Sequence, residues 1–372
     1  MSGMNETLNA IAETLRALLA RECDPDTIKA ADGGTWSADL WRALDEAGVL
    51  LATVPEAAGG LGLGLDAATL IARVAASYAA PVPIAETLLA HWLWHQGGGI
   101  TATPPSAERL TLCVAEGNAA IARAMADVGP LAGTLPRVPW ARHADTLLIV
   151  TPAGDSALLA RVPMKGAKIT HRVNLADEPR DDVELTNVAL SPAARRHIAI
   201  DADRVSSFLA LMRAAQLVGA MEAAIAITVQ YANDRVQFGR PIGKFQAIQS
   251  HIAGATELVA AAGVALEQAA ASADDPRRAP LIWTAKALAS ESANHVATAA
   301  HQVHGAIGFT REYRLQLLTR RLWSWREECG NEDVWYARLG EKVLGGGADN
   351  LWPWLTSLSP SAGEGETATA DS

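Results

Sequence analysis

YANDRVQFGRPIGKFQAIQSHI, from Tyr231 to Ile252, is the stretch whose reading decides the fold of this chain. It begins as helix and breaks at Phe238–Gly239–Arg240–Pro241, where Gly239, Pro241 and Gly243 disfavour regular helix, then resumes at Phe245. The break leaves Arg235 near the end of one helix and Gln246 at the start of the next. A later stretch, HQVHGAIGFTREY from His301 to Tyr313, reads as a glycine-bearing turn after a long helix. It sets Gln302 and His304 beside Gly305 and Gly308. Backbone amides freed at such turns, together with an arginine, suit a pyrophosphate. The plainer reading is that these glycines only shape interhelical turns, and that His304 is a packed turn histidine.

Taken together, R-x-x-F-G-x-x-I-G-x-x-Q and the later Q-x-x-G-x-x-G-F-x-x-E-Y resemble the C-terminal signature of the acyl-CoA dehydrogenase family. A weaker likeness extends over nearly the whole chain. The resemblance implies that Arg235, Phe238, Gln246, Gln302, Gly305 and Gly308 hold the ADP half of an FAD, largely one seated in a neighbouring subunit. It implies α,β-dehydrogenation of an acyl-CoA thioester with hydride passed to that flavin. The implied partners are an acyl-CoA substrate, an electron-acceptor flavoprotein, and a homologous subunit in a homo- or hetero-oligomer, dimer or tetramer.

The rest of the chain fits a large, mostly helical protein. Its 372 residues are long enough for two or three subdomains, and hydrophobic residues, rich in Ala and Leu, make up 49%. A formal net charge of −10 with no basic stripe argues against nucleic-acid binding. Cys23, Cys113 and Cys329 lack metal spacing, so neither a metal site nor a disulfide framework is expected, and a reducing, cytoplasmic setting is. The start, MSGMNETLNAIAETLRALLA, lacks the basic and apolar regions of a signal peptide, and no transmembrane helix is expected.

In chain order, helices are expected at 5–22, 38–47 (capped by Ser37), 66–80 and 81–96, forming an N-terminal helical domain over 1–100. Gly97–Ser106 reads as a linker. Short β-rich pieces (LTLCVA, DTLLIVT, SALLARVP, AKITHRV, DVELTNVAL) between turn residues predict a small antiparallel barrel or sandwich over 107–200. Long amphipathic helices at 205–234, 246–273, 279–304 and 314–325, with a shorter one at 332–344, predict a four-helix bundle over 201–345. Residues 357–372 read as a disordered tail. The fold class is therefore α+β, mostly α, with the three-domain layout the resemblance implies.

The chemistry needs a carboxylate base, and here the chain departs from the family. Alignment places Cys329 where the family's C-terminal glutamate precedes Gly330, and Leu209 where its alternative base lies. Glu328, the neighbour of Cys329, is the remaining candidate catalytic residue. The family's T-E-x-x-A-G-S-D loop and W-I-T strand, which bond the flavin ring, are absent; the corresponding strand reads LCVAEGNAA. Trp140 either stacks on a ring or packs. Thr319, Arg320, Arg321 and Arg326 either reach a CoA phosphate or a partner's carboxylates, or, the plainer reading, form a solvated helix face with i,i+4 partners. Two functions from different classes follow: an FAD-dependent acyl-CoA dehydrogenase with an unusual base, or a non-catalytic partner subunit that donates the ADP half of the FAD site.

Overall fold

The structure, a computed structural model, describes residues 2–98 and 107–358. Most of the expected linker and the last fourteen residues of the expected tail lie outside the described residues. The first domain contains α1 (Ser2–Glu22), α2 (Pro25–Asp32), α3 (Ala38–Glu46), α4 (Leu65–Ser77) and α5 (Ile84–Gln96). α2 lies between the expected helices at 5–22 and 38–47, where no helix was expected. It forms because Asp24 accepts from the amides of Asp26 and Thr27, with Pro25 in the first turn. Ser37 precedes α3 as expected but makes no side-chain capping bond. α5 is buried on every side from Ile84 to Trp94, so it is a central element with no apolar stripe.

The middle domain is a pair of sheets. β1 (Leu110–Val114), α6 (Ala119–Ala126), β2 (Leu131–Pro139), β3 (Thr146–Pro152), β4 (Ala157–Pro163), β5 (Lys168–Thr170), β6 (Arg180–Val188) and β7 (Arg195–Ile198) follow in sequence. The strand orders are β1-β3-β4-β7 and β2-β6-β5. Leu131, Leu147, Ile149, Val162 and Val183 share the core between the sheets. The expectation of an antiparallel domain is corrected at one edge, because β1 runs parallel to β3. The intervening α6 supplies the crossover such a pair needs, starting where the Asn118 side chain accepts from Ile121 N at 3.1 Å.

The C-terminal domain is the helical bundle: α7 (Ala202–Asp234), α8 (Gln246–Ala271), α9 (Ala279–His304), α10 (Leu315–Glu327) and α11 (Glu332–Gly346), followed by α12 (Leu351–Leu358). The last helix covers 357–358, so the expected disorder is corrected there. Between α7 and α8 the chain forms a hairpin of β8 (Val236–Gln237) and β9 (Arg240–Pro241). Its tip has Phe238 at φ 53° and Gly239 at φ 78°, the left-handed pair that a tight two-residue hairpin requires.

α7 is long and apolar enough to cross a membrane by composition, but 72% of that window is buried inside the molecule. It is the axis on which the domains meet. α4 crosses it at Gly219, where a Cβ would stand 1.9 Å from Arg73 O, so only glycine permits the approach. The Arg73 guanidinium then pairs with Glu222 of α7 and with Glu267 of α8 (3.0 Å), fixing the first domain to the bundle.

Candidate functional site

The end of α7 and the end of α9 lie side by side. Tyr231 stacks on His304 with ring centroids 4.3 Å apart and planes 22° apart, and Tyr313 meets both rings. His304 Nδ1 faces Ala300 O at 2.8 Å and its ring is buried, so it is the packed turn histidine. This aromatic cluster brings the two glycine-bearing stretches together. Arg235 ends α7 one turn after Tyr231, with its N–H on Tyr231 O at 2.9 Å. Its side chain is exposed, as are those of Gln246 and Gln302, and Phe238 is 92% exposed.

α8 starts at Gln246 without a side-chain cap, which leaves the first amides of a 26-residue helix open to an anion. Gln302 lines a groove of about 810 Å³ between α8 and α9, beside His251 and His295. Gly305, at φ 63°, has open space where a Cβ would be. Gly308 differs: a Cβ there would crowd His304, His301 and Leu315 at 3.0 to 3.3 Å, so packing of the turn accounts for it.

The second half of the site is a row of buried charges that sequence reading did not anticipate. It runs Asp32, Arg321, Glu178, Arg180, Glu328, Arg213, Glu86, alternating in sign across α2, α10, the loop before β6, α7 and α5. Arg321 Nη2 lies 3.1 Å from Asp32 Oδ1, and its Nε lies 3.2 Å from Glu178 Oε1. Glu178 also accepts from Arg180 Nη2 at 3.1 Å, Asn174 Nδ2 at 3.0 Å and Trp325 Nε1 at 2.8 Å. Arg180 donates to both oxygens of Glu328. Arg213 pairs with Glu328 at 2.8 Å through Nε, and donates through Nη2 to Glu86 at 2.8 Å. The Arg213 Nε proton points off the Glu328 oxygen, making that contact an ion pair without a hydrogen bond.

The reading of Arg320 and Arg321 as a solvated face is corrected. Arg321 is 0% exposed, and Arg320 bridges Asp32 at 2.7 Å and Asp177 at 2.6 Å. Arg326 pairs nearby with Glu327 and Glu332, and Arg320 also donates to Gln316, four residues earlier, at 2.9 Å.

Glu328 therefore sits where a base would be least effective. Burial by itself raises its pKa, but Arg180 and Arg213 outweigh burial and hold the carboxyl down at about 2. It accepts three hydrogen bonds, two from Arg180 and one from Asn174 Nδ2 to Oε1 at 3.0 Å, with Arg213 beside Oε2 as an ion pair. Cys329, at φ 58°, turns the other way into a cluster of Ala210, Ala287, Trp283 and Trp335. Burial raises its thiol pKa against the opposing effect of Arg213. Leu209 packs against the main core.

Lys286 clamps the turn that carries Glu328 and Cys329. Fully buried, it donates to Arg326 O at 3.0 Å and Gly330 O at 2.6 Å, and burial lowers its pKa to about 8. Trp140 is buried beside His143, so it is not presented to a planar ligand, and the exposed Glu116 accepts from Ser206 Oγ at 2.9 Å.

The residues fit one half of an FAD. An arginine unpaired among the described residues, open helix amides and an exposed glutamine suit the ADP portion, whereas the place for a ring-side base holds neutralised carboxylates. The missed residues had a faint signal in Glu86, the one Asp, Glu, Lys or Arg of α5, and in Arg213, the one charge between Arg204 and Glu222 of α7, since such residues are rarely buried unpaired.

Two family models match the chain: "Acyl-CoA dehydrogenase, N-terminal domain" over residues 5–98 and "Acyl-CoA dehydrogenase, C-terminal domain" over 205–344. The chain is 30% identical over 300 residues to acyl-CoA dehydrogenase FadE27 of Mycobacterium tuberculosis, covering 74% of this chain and 80% of that one. It is 28% identical over 323 residues to acyl-CoA dehydrogenase IpdE2 of Mycolicibacterium smegmatis, covering 86% and 93%. Among solved structures, a chain of the ChsE4-ChsE5 complex of Mycobacterium tuberculosis shares the fold at TM-score 0.81 and 23% identity, covering 92% and 98%. A Tcur3481-Tcur3483 steroid ACAD variant matches at TM-score 0.77 and 26% identity, covering 92% and 99%.

Proposed function

This chain belongs to the acyl-CoA dehydrogenase family, and on that premise we propose that it acts as the partner subunit of a two-component assembly. In this reading it contributes the ADP-gripping face of an FAD site to a homologous catalytic subunit, and its own ring-side half is structural. The observation that carries the proposal is the state of Glu328. The one carboxylate next to the family's base position is held ionised between Arg180 and Arg213. A general base works best with a pKa near the working pH, and Glu328, bonded on both oxygens by Arg180, is held well below it.

Across the interface, Arg235 would pair with the pyrophosphate, the open α8 amides with the same anion, and Gln302 with the adenosine side. Phe238, at the hairpin tip, would be covered by the other subunit. FAD, when bound, supplies the hydride acceptor, and the base comes from the other chain. Two of the structural relatives carry two-component names, ChsE4-ChsE5 and Tcur3481-Tcur3483, which supports an assembly of unlike chains here.

The test is the absorbance spectrum of the chain purified alone and after co-expression with a homologous catalytic subunit. The expected outcome is a colourless protein alone and a flavin spectrum in the complex. A chain that is yellow by itself and reduces an electron acceptor with acyl-CoA makes the reading untenable and restores the self-sufficient dehydrogenase.

A further inference from the structure

At the junction of all three domains is a cleft of about 570 Å³ that the flavin reading leaves unused; none of Arg235, Phe238, Gln246 and Gln302 lines it. Its apolar surface comes from Leu175 and from three rings: Phe309, His301 and Trp323. The rings form a near-parallel pile. His301 lies 4.0 Å from Phe309 at 17° and 5.6 Å from Trp323 at 9°. His301 is fixed in the pile by Thr319, whose hydroxyl lies 2.9 Å from Nε2, and burial lowers its pKa, which keeps the pile uncharged. Phe309 is nonetheless 65% exposed, so an aromatic surface is offered to the cleft.

The charges around it leave a positive balance. Asp32 and Asp177 are neutralised by Arg320, and Asp32 by Arg321 as well. On the cationic side, the Arg311 guanidinium has no partner among the described residues, and Lys29 reaches only Asp26, at 3.6 Å. In a chain of net charge −10, a cleft whose carboxylates are paired and whose Arg311 is not favours an anion. Concave sites at domain junctions, apolar with a few convergent polar groups, are where small ligands bind.

We propose that this cleft binds a planar aromatic ring system bearing an anionic group, with the ring against Phe309 and Trp323 and the anion at Arg311. Either a carboxylate or a phosphate satisfies that chemistry, so both 2-naphthoate and adenosine 5′-monophosphate serve as probes. Controls are decahydro-2-naphthoate, which keeps the charge without the aromatic ring, and 2-naphthamide, which keeps the ring without the charge. Calorimetric titration into the full chain is expected to give a dissociation constant below about 1 mM for at least one aromatic anion.

Phe309→Leu and Arg311→Gln, both at exposed positions, are each expected to weaken that binding roughly fivefold. Arg311→Gln should also abolish the preference over 2-naphthamide. Equal binding of the saturated acid, parental affinity in both variants, or no binding of either anion at 1 mM overturns the proposal. None of these readouts depends on flavin, so failure here is distinct from failure of the partner-subunit reading.

Discussion

Arg180 and Glu328 meet as a fork, Nε 2.9 Å from Oε1 and Nη2 2.9 Å from Oε2, with the Glu328 side chain only 10% exposed. The pair joins the middle domain to the turn after α10, and Arg213 extends it to α7. Such a pair holds its geometry because every charge has a partner, and breaking it leaves a buried charge uncompensated. Glu328→Gln is therefore expected to lower unfolding stability by about 3–5 kcal/mol, measured by urea denaturation. Adding Arg180→Met to that variant should recover about 1–3 kcal/mol through coupling of the two sites. An unchanged denaturation midpoint together with lost turnover would instead identify Glu328 as a base.

Acid sensitivity should come in two windows. His91 is 1% exposed, neither ring nitrogen has a partner among the described residues, and burial followed by Arg161 lowers its pKa to about 3. Above about pH 6.5 the ring is neutral folded or unfolded and contributes no pH dependence. As pH falls from there toward 3, the unfolded chain binds a proton that the folded one refuses, so stability is lost. Glu328, with its pKa lowered from 4.5 to about 2, contributes stability that is present above 4.5 and lost as pH falls through 2. His91→Leu should be more stabilising at pH 5 than at pH 8 by about 2 kcal/mol, read from denaturation curves at both values. A gain independent of pH would show that His91 is not the titrating group.

Arg235→Ala should reduce flavin retention in whichever assembly holds the cofactor, by about 1.5–3 kcal/mol for a lost charge-assisted bond. Gel filtration of the complex followed by the ratio of flavin to protein absorbance checks it. Full occupancy in the variant would place the pyrophosphate elsewhere.

Gly219→Ala is predicted to disturb the seat of α4 on α7, since the added carbon would lie 1.9 Å from Arg73 O, a backbone atom held within its own helix. The expected cost is about 1–3 kcal/mol or more, seen as a lower Tm. Gly254, exposed on α8, offers a control, as nothing lies within 4 Å of a Cβ there. Equal Tm changes at the two positions would contradict the close approach.

Local chemistry made the helical bundle and the hairpin break legible. Apolar spacing set α7 to α11, and Gly239 with Pro241 forced the chain to turn between α7 and α8. The two glycine-bearing stretches carried the family likeness, and their Arg235, Gln246 and Gln302 are all exposed. α2 escaped notice because its stability comes from the Asp24 cap and packing of Ile28, with too few turns to show a period.

What only the tertiary structure decided is the fate of the charges. Asp32, Glu86, Glu178, Arg180, Arg213, Arg321 and Glu328 come from segments up to 296 residues apart, yet they form one alternating row. An ionisable side chain reads alike in sequence whether it faces water, a substrate or an opposite charge. Its protonation and its role depend on which groups the fold brings within a few ångströms, because electrostatic energy depends on distance and burial.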